Sequence, residues 1–138
     1  MALLRTVDPL RRALAGVVEA HGITLQQYNV LRILRGAGAG GLPTLDVADR
    51  MIEQAPGVTR LLDRLEAKGL VRRKRRPEDR RQVLRFATPA ALRLLDDLEA
   101  PMDRADREAL GMLDPVQLDE LIGLLNRVRS GLGQRTTN

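Results

Sequence analysis

Positive charge is the chemistry this sequence carries most densely. From Lys68 to Arg85 stand nine bases (Lys68, Arg72, Arg73, Lys74, Arg75, Arg76, Arg80, Arg81 and Arg85) and two acids, Glu78 and Asp79. That window is +7, whereas the other 120 residues hold 14 bases and 16 acids and are −2. A charge run is often only a solvated face. A nearly single-signed run with nothing nearby to neutralise it repels itself, and is tolerated best where a polyanion supplies the counter-charge.

Catalytic chemistry is scarce by comparison. The chain has one His, no Cys, no Gly-rich phosphate loop and no metal-ligand spacing, which argues against an enzyme and against a cofactor or metal. His21 falls beside a helix end, a place for a cap or a pocket wall. Asp96 and Asp97 are adjacent on a helix, so their carboxylates diverge. Without Cys there is no disulfide framework and no thiol redox sensor. No apolar run is long enough to span a membrane, and no signal peptide is evident. The expectation is a cytoplasmic protein with no membrane partner.

The elements that must carry this charge follow from periodicity. Val7, Leu10, Leu14, Val17 and Val18 form a helical stripe over residues 7–20, ended by His21-Gly22. Thr24 with Gln27 reads as a capping box opening a second helix through Leu25, Tyr28, Leu31 and Leu34. Residues 36–41, with four glycines, read as a loop. Pro43-Thr44 starts a short helix whose expected buried side is Leu45, Ala48 and Met51 or Ile52. After a break at residues 53–56, Val58, Leu61, Leu62 and Leu65 give the cleanest amphipathic pattern in the chain, stopped by Gly69. Leu70-Val71 opens a strand, residues 77–79 turn, and Gln82 to Ala87 return. Thr88-Pro89 starts a long helix through Leu92, Leu95 and Leu98, which Pro101 should kink or divide. Asp114 to Gln117 starts the last helix.

A helix pair with a tight break, followed at once by a two-stranded ribbon, is a winged helix-turn-helix. The fold expected is mainly α with a small β-wing, plus dimerisation helices. The winged helix-turn-helix would occupy residues 23–100, the dimerisation helices 1–22 and 101–132, and a flexible tail 133–138. The Leu-rich first and last helices have no home in a small winged helix, so an apolar partner surface is implied.

The helix near residues 55–68 turns Thr59, Arg60, Asp63 and Arg64 away from the core. Such a helix fits the DNA major groove, with its N-terminal residues at base edges. Gln54, Thr59, Arg60 and Arg64 are the candidates for that contact. The bland alternative pairs Arg60 and Arg64 with Asp63 or Glu66. Side chains alternate along Arg72 to Arg76, so some contact phosphate and some brace the domain. Arg76, Asp79, Arg80 and Arg81 are the wing candidates. Arg80 and Arg81, at the tip, suit the negative potential of a minor groove. Asp79 either holds a neighbouring Arg or fixes the turn through its own backbone.

The run Thr59-Arg60-Leu61-Leu62-Asp63-Arg64-Leu65-Glu66-Ala67-Lys68-Gly69-Leu70-Val71-Arg72-Arg73, then Asp79-Arg80-Arg81 and Thr88-Pro89-Ala90, resembles the MarR family of bacterial transcription regulators. Leu25 to Leu31 resembles that family's second-helix motif. The resemblance implies a homodimer joined by the N- and C-terminal helices. It implies a recognition helix in each of two successive major grooves, and a wing in the flanking minor groove with Arg81 as its inserted residue. It also implies repression, or sometimes activation, of a nearby operon, often relieved by a small, often aromatic or phenolic, effector bound between the dimer helices and the DNA-binding lobe. Residues 52–57 lack the family's common Gly-Val-Ser type of turn. Arg85 stands in a strand where aliphatic residues are usual. The reading from another class is a winged helix whose ribbon binds an acidic protein partner.

Overall fold

The computed structural model describes residues 1–52 and 57–135, with side chains through residue 133. The elements in chain order are α1 (Ala2–Glu19), α2 (Leu25–Ala37), a 3-10 turn (Gly38–Gly40), β1 (Leu42–Pro43) and α3 (Thr44–Arg50). They continue with α4 (Val58–Ala67), β2 (Val71–Arg75), β3 (Val83–Ala87), α5 (Pro89–Leu110) and α6 (Pro115–Arg135). The three strands form one antiparallel sheet in the order β1-β3-β2.

Local chemistry sets the boundaries. The Thr24–Gln27 capping box is present, with the Gln27 N–H donating to Thr24 Oγ1 at 3.2 Å and the Thr24 N–H to Gln27 Oε1 at 3.0 Å. Asp114 and Gln117 make the same reciprocal pair at the start of α6, at 2.9 and 3.0 Å. Gly69, at φ +72°, ends α4 in a Schellman motif, with the Leu70 N–H on Leu65 O and the Gly69 N–H on Glu66 O, both 2.9 Å. Thr88 accepts the Ala91 N–H at 3.2 Å and donates to Gly69 O at 2.7 Å. One hydroxyl thus caps α5 and ties it to the end of α4.

The core is aliphatic, as two aromatics require. Val18, Val30, Leu31, Leu34, Val47, Leu62, Leu65, Leu95 and Leu98 are buried, drawing α1 to α5 around the inner face of the sheet. Four details differ from the sequence reading. α1 begins at Ala2, not residue 7. β1 is an added strand: Leu42 pairs with Arg85 and Pro43 with Leu84, with Pro tolerated because the strand lies on an edge. That pairing sets the phase of α3, so Val47 and Met51 are buried while Leu45 and Ile52 are exposed. A seven-residue helix is too short for its own periodicity to decide the matter. Finally, α5 is not divided at Pro101, which lies inside a continuous 22-residue helix.

α6 is the anomaly of the packing. None of its described side chains is buried. Val116, Ile122, Leu124, Leu125, Val128 and Leu132 are all exposed, as are Leu3, Leu4 and Val7 of α1.

Candidate nucleic-acid interface

α4 supplies the first half of the site. It starts at Gly57, whose φ of +95° lies in the left-handed region and whose carbonyl accepts the Leu61 N–H at 3.1 Å. Val58, Leu62 and Leu65 are buried and Leu61 is half-buried, which leaves Thr59, Arg60 and Arg64 exposed on the opposite side. Neither Arg60 nor Arg64 makes an ion pair among the described residues. Asp63 and Glu66, their expected surface partners, are committed elsewhere. Gln54 lies outside the described residues.

The second half is the ribbon β2–β3. Its tip is built by backbone bonds: the Arg76 N–H to Gln82 O and the Gln82 N–H to Asp79 O, both 3.0 Å. Asp79 Oδ1 accepts the Arg81 N–H at 3.0 Å, so this carboxylate fixes the turn through the backbone. Arg80 and Arg81 are exposed beside it. Arg76 is held along the ribbon, with Nη1 donating to Gln82 Oε1 at 3.0 Å and Nε 3.5 Å from Glu78 Oε2.

The nine bases of the run divide by what they touch. Arg72 lies over the Phe86 ring at 4.3 Å, across the register pair Arg72↔Phe86. Arg73 and Arg85 face α4, where Arg73 Nε is 3.3 Å from Glu66 Oε1 and Arg85 Nη1 donates to Glu66 Oε2 at 3.1 Å. Lys68 turns the other way: its Nζ donates to Gly22 O at 2.6 Å and Gln27 Oε1 at 3.2 Å, pinning the end of α4 to the α1–α2 corner. Lys74, Arg75, Arg80 and Arg81 remain exposed with no hydrogen bond or ion pair from their side chains among the described residues. With Arg60 and Arg64 they form the outward positive surface of the protomer.

The sequence does not reveal the pairing of Arg85 with Asp63 and Glu66; Asp63 itself lies exposed, as its helical position implies. The available signal was a lone cation in Val83-Leu84-Arg85-Phe86-Ala87, 19 residues after Glu66 of the preceding helix. Among the described residues no group of His, Asp and Glu could hold a metal ion, and no helix is long and apolar enough to cross a membrane.

The sequence profile of the MarR family matches residues 23–83, from just before α2 through β2 to the first residue of β3. A MarR transcription factor from Planctomyces limnophilus is 43% identical in sequence, with 90% of each chain covered and a TM-score of 0.71. The chain belongs to the MarR family. Its members are transcription regulators that bind DNA, not enzymes, and α3 and α4 with the ribbon correspond to this family's winged helix-turn-helix. The homoprotocatechuate degradative operon repressor of Escherichia coli is 26% identical over 91% of this chain and 83% of its own length. Bordetella bronchiseptica BpsR, whose structure is described as showing the mechanism for regulation of DNA binding by 6-hydroxynicotinic acid, is 26% identical. It covers 93% of this chain and 90% of its own, with a TM-score of 0.82. Across its curated relatives the chain spans from 57 to 91% of their lengths.

Proposed function

We propose that this chain is a homodimeric, operator-specific repressor whose release from DNA is controlled by a small effector. The observation that carries the reading is the outward set Arg60, Arg64, Lys74, Arg75, Arg80 and Arg81, clustered on one helix and one ribbon with no internal counter-charge among the described residues. Thr59, Arg60 and Arg64, with Gln54 in the preceding segment, are assigned to the major groove, where an Arg gripping guanine is worth roughly 1–3 kcal/mol of discrimination. Arg80 and Arg81 are assigned to the minor groove and its phosphates. Arg76 and Asp79 hold the shape of the tip. The exposed apolar rows of α1 and α6 support a two-fold dimer, which would set its recognition helices about 34 Å apart, on a palindromic site.

The repressor sense is supported by the Escherichia coli relative, and effector control by the Bordetella one. A cleft of about 200 Å³ between α2 and α5 is the place we assign to the effector. It is lined by Tyr28, Arg32 and Arg35 on one side and by Leu95, Glu99, Met102, Asp103 and Asp106 on the other.

The test is selection of duplexes from a random pool. A palindromic consensus should emerge. Arg60→Ala should change the preferred base, and Arg81→Ala should weaken all sites evenly. Binding that shows no preference over random duplex would refute the operator reading and favour an acidic protein as the partner of the ribbon.

A further inference from the structure

Arg85 is the one buried charged residue among those described, at 5% exposed. It stands in the central strand, between Leu42 of β1 and Arg73 of β2. Its guanidinium reaches α4: Nη1 donates to Glu66 Oε2 at 3.1 Å and Nη2 lies 3.5 Å from Asp63 Oδ1. Arg73 closes on the same Glu66 from the neighbouring strand. The Nε of Arg85 is buried with no hydrogen-bond partner.

Stability is a poor explanation for this arrangement. A buried ion pair commonly stabilises no better than an apolar pair of the same shape. Leu or Met would continue a strand already made of Val83, Leu84, Phe86 and Ala87, and would leave no orphaned Nε. What the guanidinium supplies is direction. Apolar contact is non-directional, whereas a guanidinium between two carboxylates one helical turn apart fixes both the separation and the rotation of strand and helix. It also engages Asp63, which stays 53% exposed on the helix that carries Arg60 and Arg64, so that a carboxylate that would otherwise oppose a phosphate is paired.

We infer that Arg85 is a positioning residue for DNA binding. By holding Asp63 and Glu66 it locks the wing to the recognition helix, so that groove reading and phosphate gripping engage as one rigid body, although Arg85 touches no DNA. The inference rests on the DNA-binding reading above, but its mechanical half can be measured without DNA.

The variant is Arg85→Leu; Asp63 and Glu66 are already 53% and 32% exposed beside Arg85, so neither acid is stranded away from water. In the free protein, hydrogen exchange of the β2–β3 amides, including the Arg76 N–H, should quicken about tenfold while α5 amides hold their rates. On a duplex chosen by the wild type from a random pool, affinity should fall about tenfold with the slope of log K against log salt unchanged. The penalty of Arg81→Ala should also shrink in the Arg85→Leu background, because a loosened wing no longer delivers Arg81. A folded Arg85→Leu protein with wild-type exchange and affinity would overturn the inference. So would a slope reduced as far as Arg81→Ala reduces it, which would make Arg85 a direct phosphate contact. If the wild type selects no duplex, the DNA reading fails while the exchange rates still decide whether the lock exists. If Arg85→Leu does not fold, Asp63→Asn and Glu66→Gln carry the same measurements, and wild-type behaviour in both would overturn it.

Discussion

The salt dependence of DNA binding should separate the cations that face solvent from those folded into the protein. On α4 and the ribbon six are exposed without internal partners among the described residues: Arg60, Arg64, Lys74, Arg75, Arg80 and Arg81. Each phosphate neutralised on B-DNA contributes about −0.9 to the slope of log K against log salt. A two-fold dimer engaging all twelve would show a slope of about −11, and one engaging only the ribbon's cations about −7. Had the whole basic run and both recognition-helix arginines reached DNA, the slope would be about −20. Arg81→Ala removes two contacts per dimer and should flatten the slope by about 2. Lys68→Met removes a positive charge from the same run but one that is spent on Gly22 O and Gln27 Oε1, and should leave the slope where it was. Fluorescence anisotropy of a labelled selected duplex, from about 50 to about 200 mM salt, measures both variants. A Lys68→Met slope flattened as much as that of Arg81→Ala would refute the assignment of inward and outward cations.

Three further outcomes follow from the packing. Thr88→Ala loses the α5 cap and the bond to Gly69 O, so it should cost about 1 kcal/mol and lower Tm by roughly 4 °C in calorimetry. Gly41→Ala should destabilise by about 1–3 kcal/mol in a urea titration, because Gly41 has φ +62° and an added Cβ would fall 2.6 Å from the Phe86 ring. Leu125→Glu on α6 alters a side chain already 41% exposed in the protomer. It should therefore leave helical content intact, shift sedimentation from dimer to monomer and weaken operator binding on the order of a hundredfold through lost bivalency.

Elements whose signals are local were legible in the sequence. The Thr24–Gln27 box, the Gly69 stop, the Thr88-Pro89 start and the period of α4 each depend on residues within one or two turns, and each is where it was read. β1 was not legible, because a two-residue strand exists only by pairing with Leu84 and Arg85, some forty residues on. On α3, Ala48 and Met51 pack as read, but Val47 takes the buried place expected of Leu45 for the same reason. Pro101 was expected to interrupt α5, yet the helix runs on through it. In the candidate site, Thr59, Arg60 and Arg64 were placed on the outward face by helical period alone. The ribbon was harder. Strand alternation says that neighbouring arginines point to opposite faces, but only the partner on each face tells what they do there: Phe86 beneath Arg72, Glu66 against Arg73.

The basic run is therefore two structures written in one residue type. A solvated charge and a buried one have opposite requirements. The first needs only length and freedom to follow a phosphate, and Lys74, Arg75, Arg80 and Arg81 stand exposed on the ribbon accordingly. The second must recover its desolvation from fixed partners, and Arg85 does so through acids that the recognition helix supplies at positions 63 and 66. Those acids would be a liability on a DNA-facing helix if left free. Paired with Arg85, they let the helix keep its arginines outward and give the wing a fixed bearing on it. Net charge alone would treat Asp63→Asn as a gain for DNA binding. The geometry predicts the reverse, a loss of affinity through a loosened wing, and the sign of that single change distinguishes electrostatic attraction from mechanical positioning.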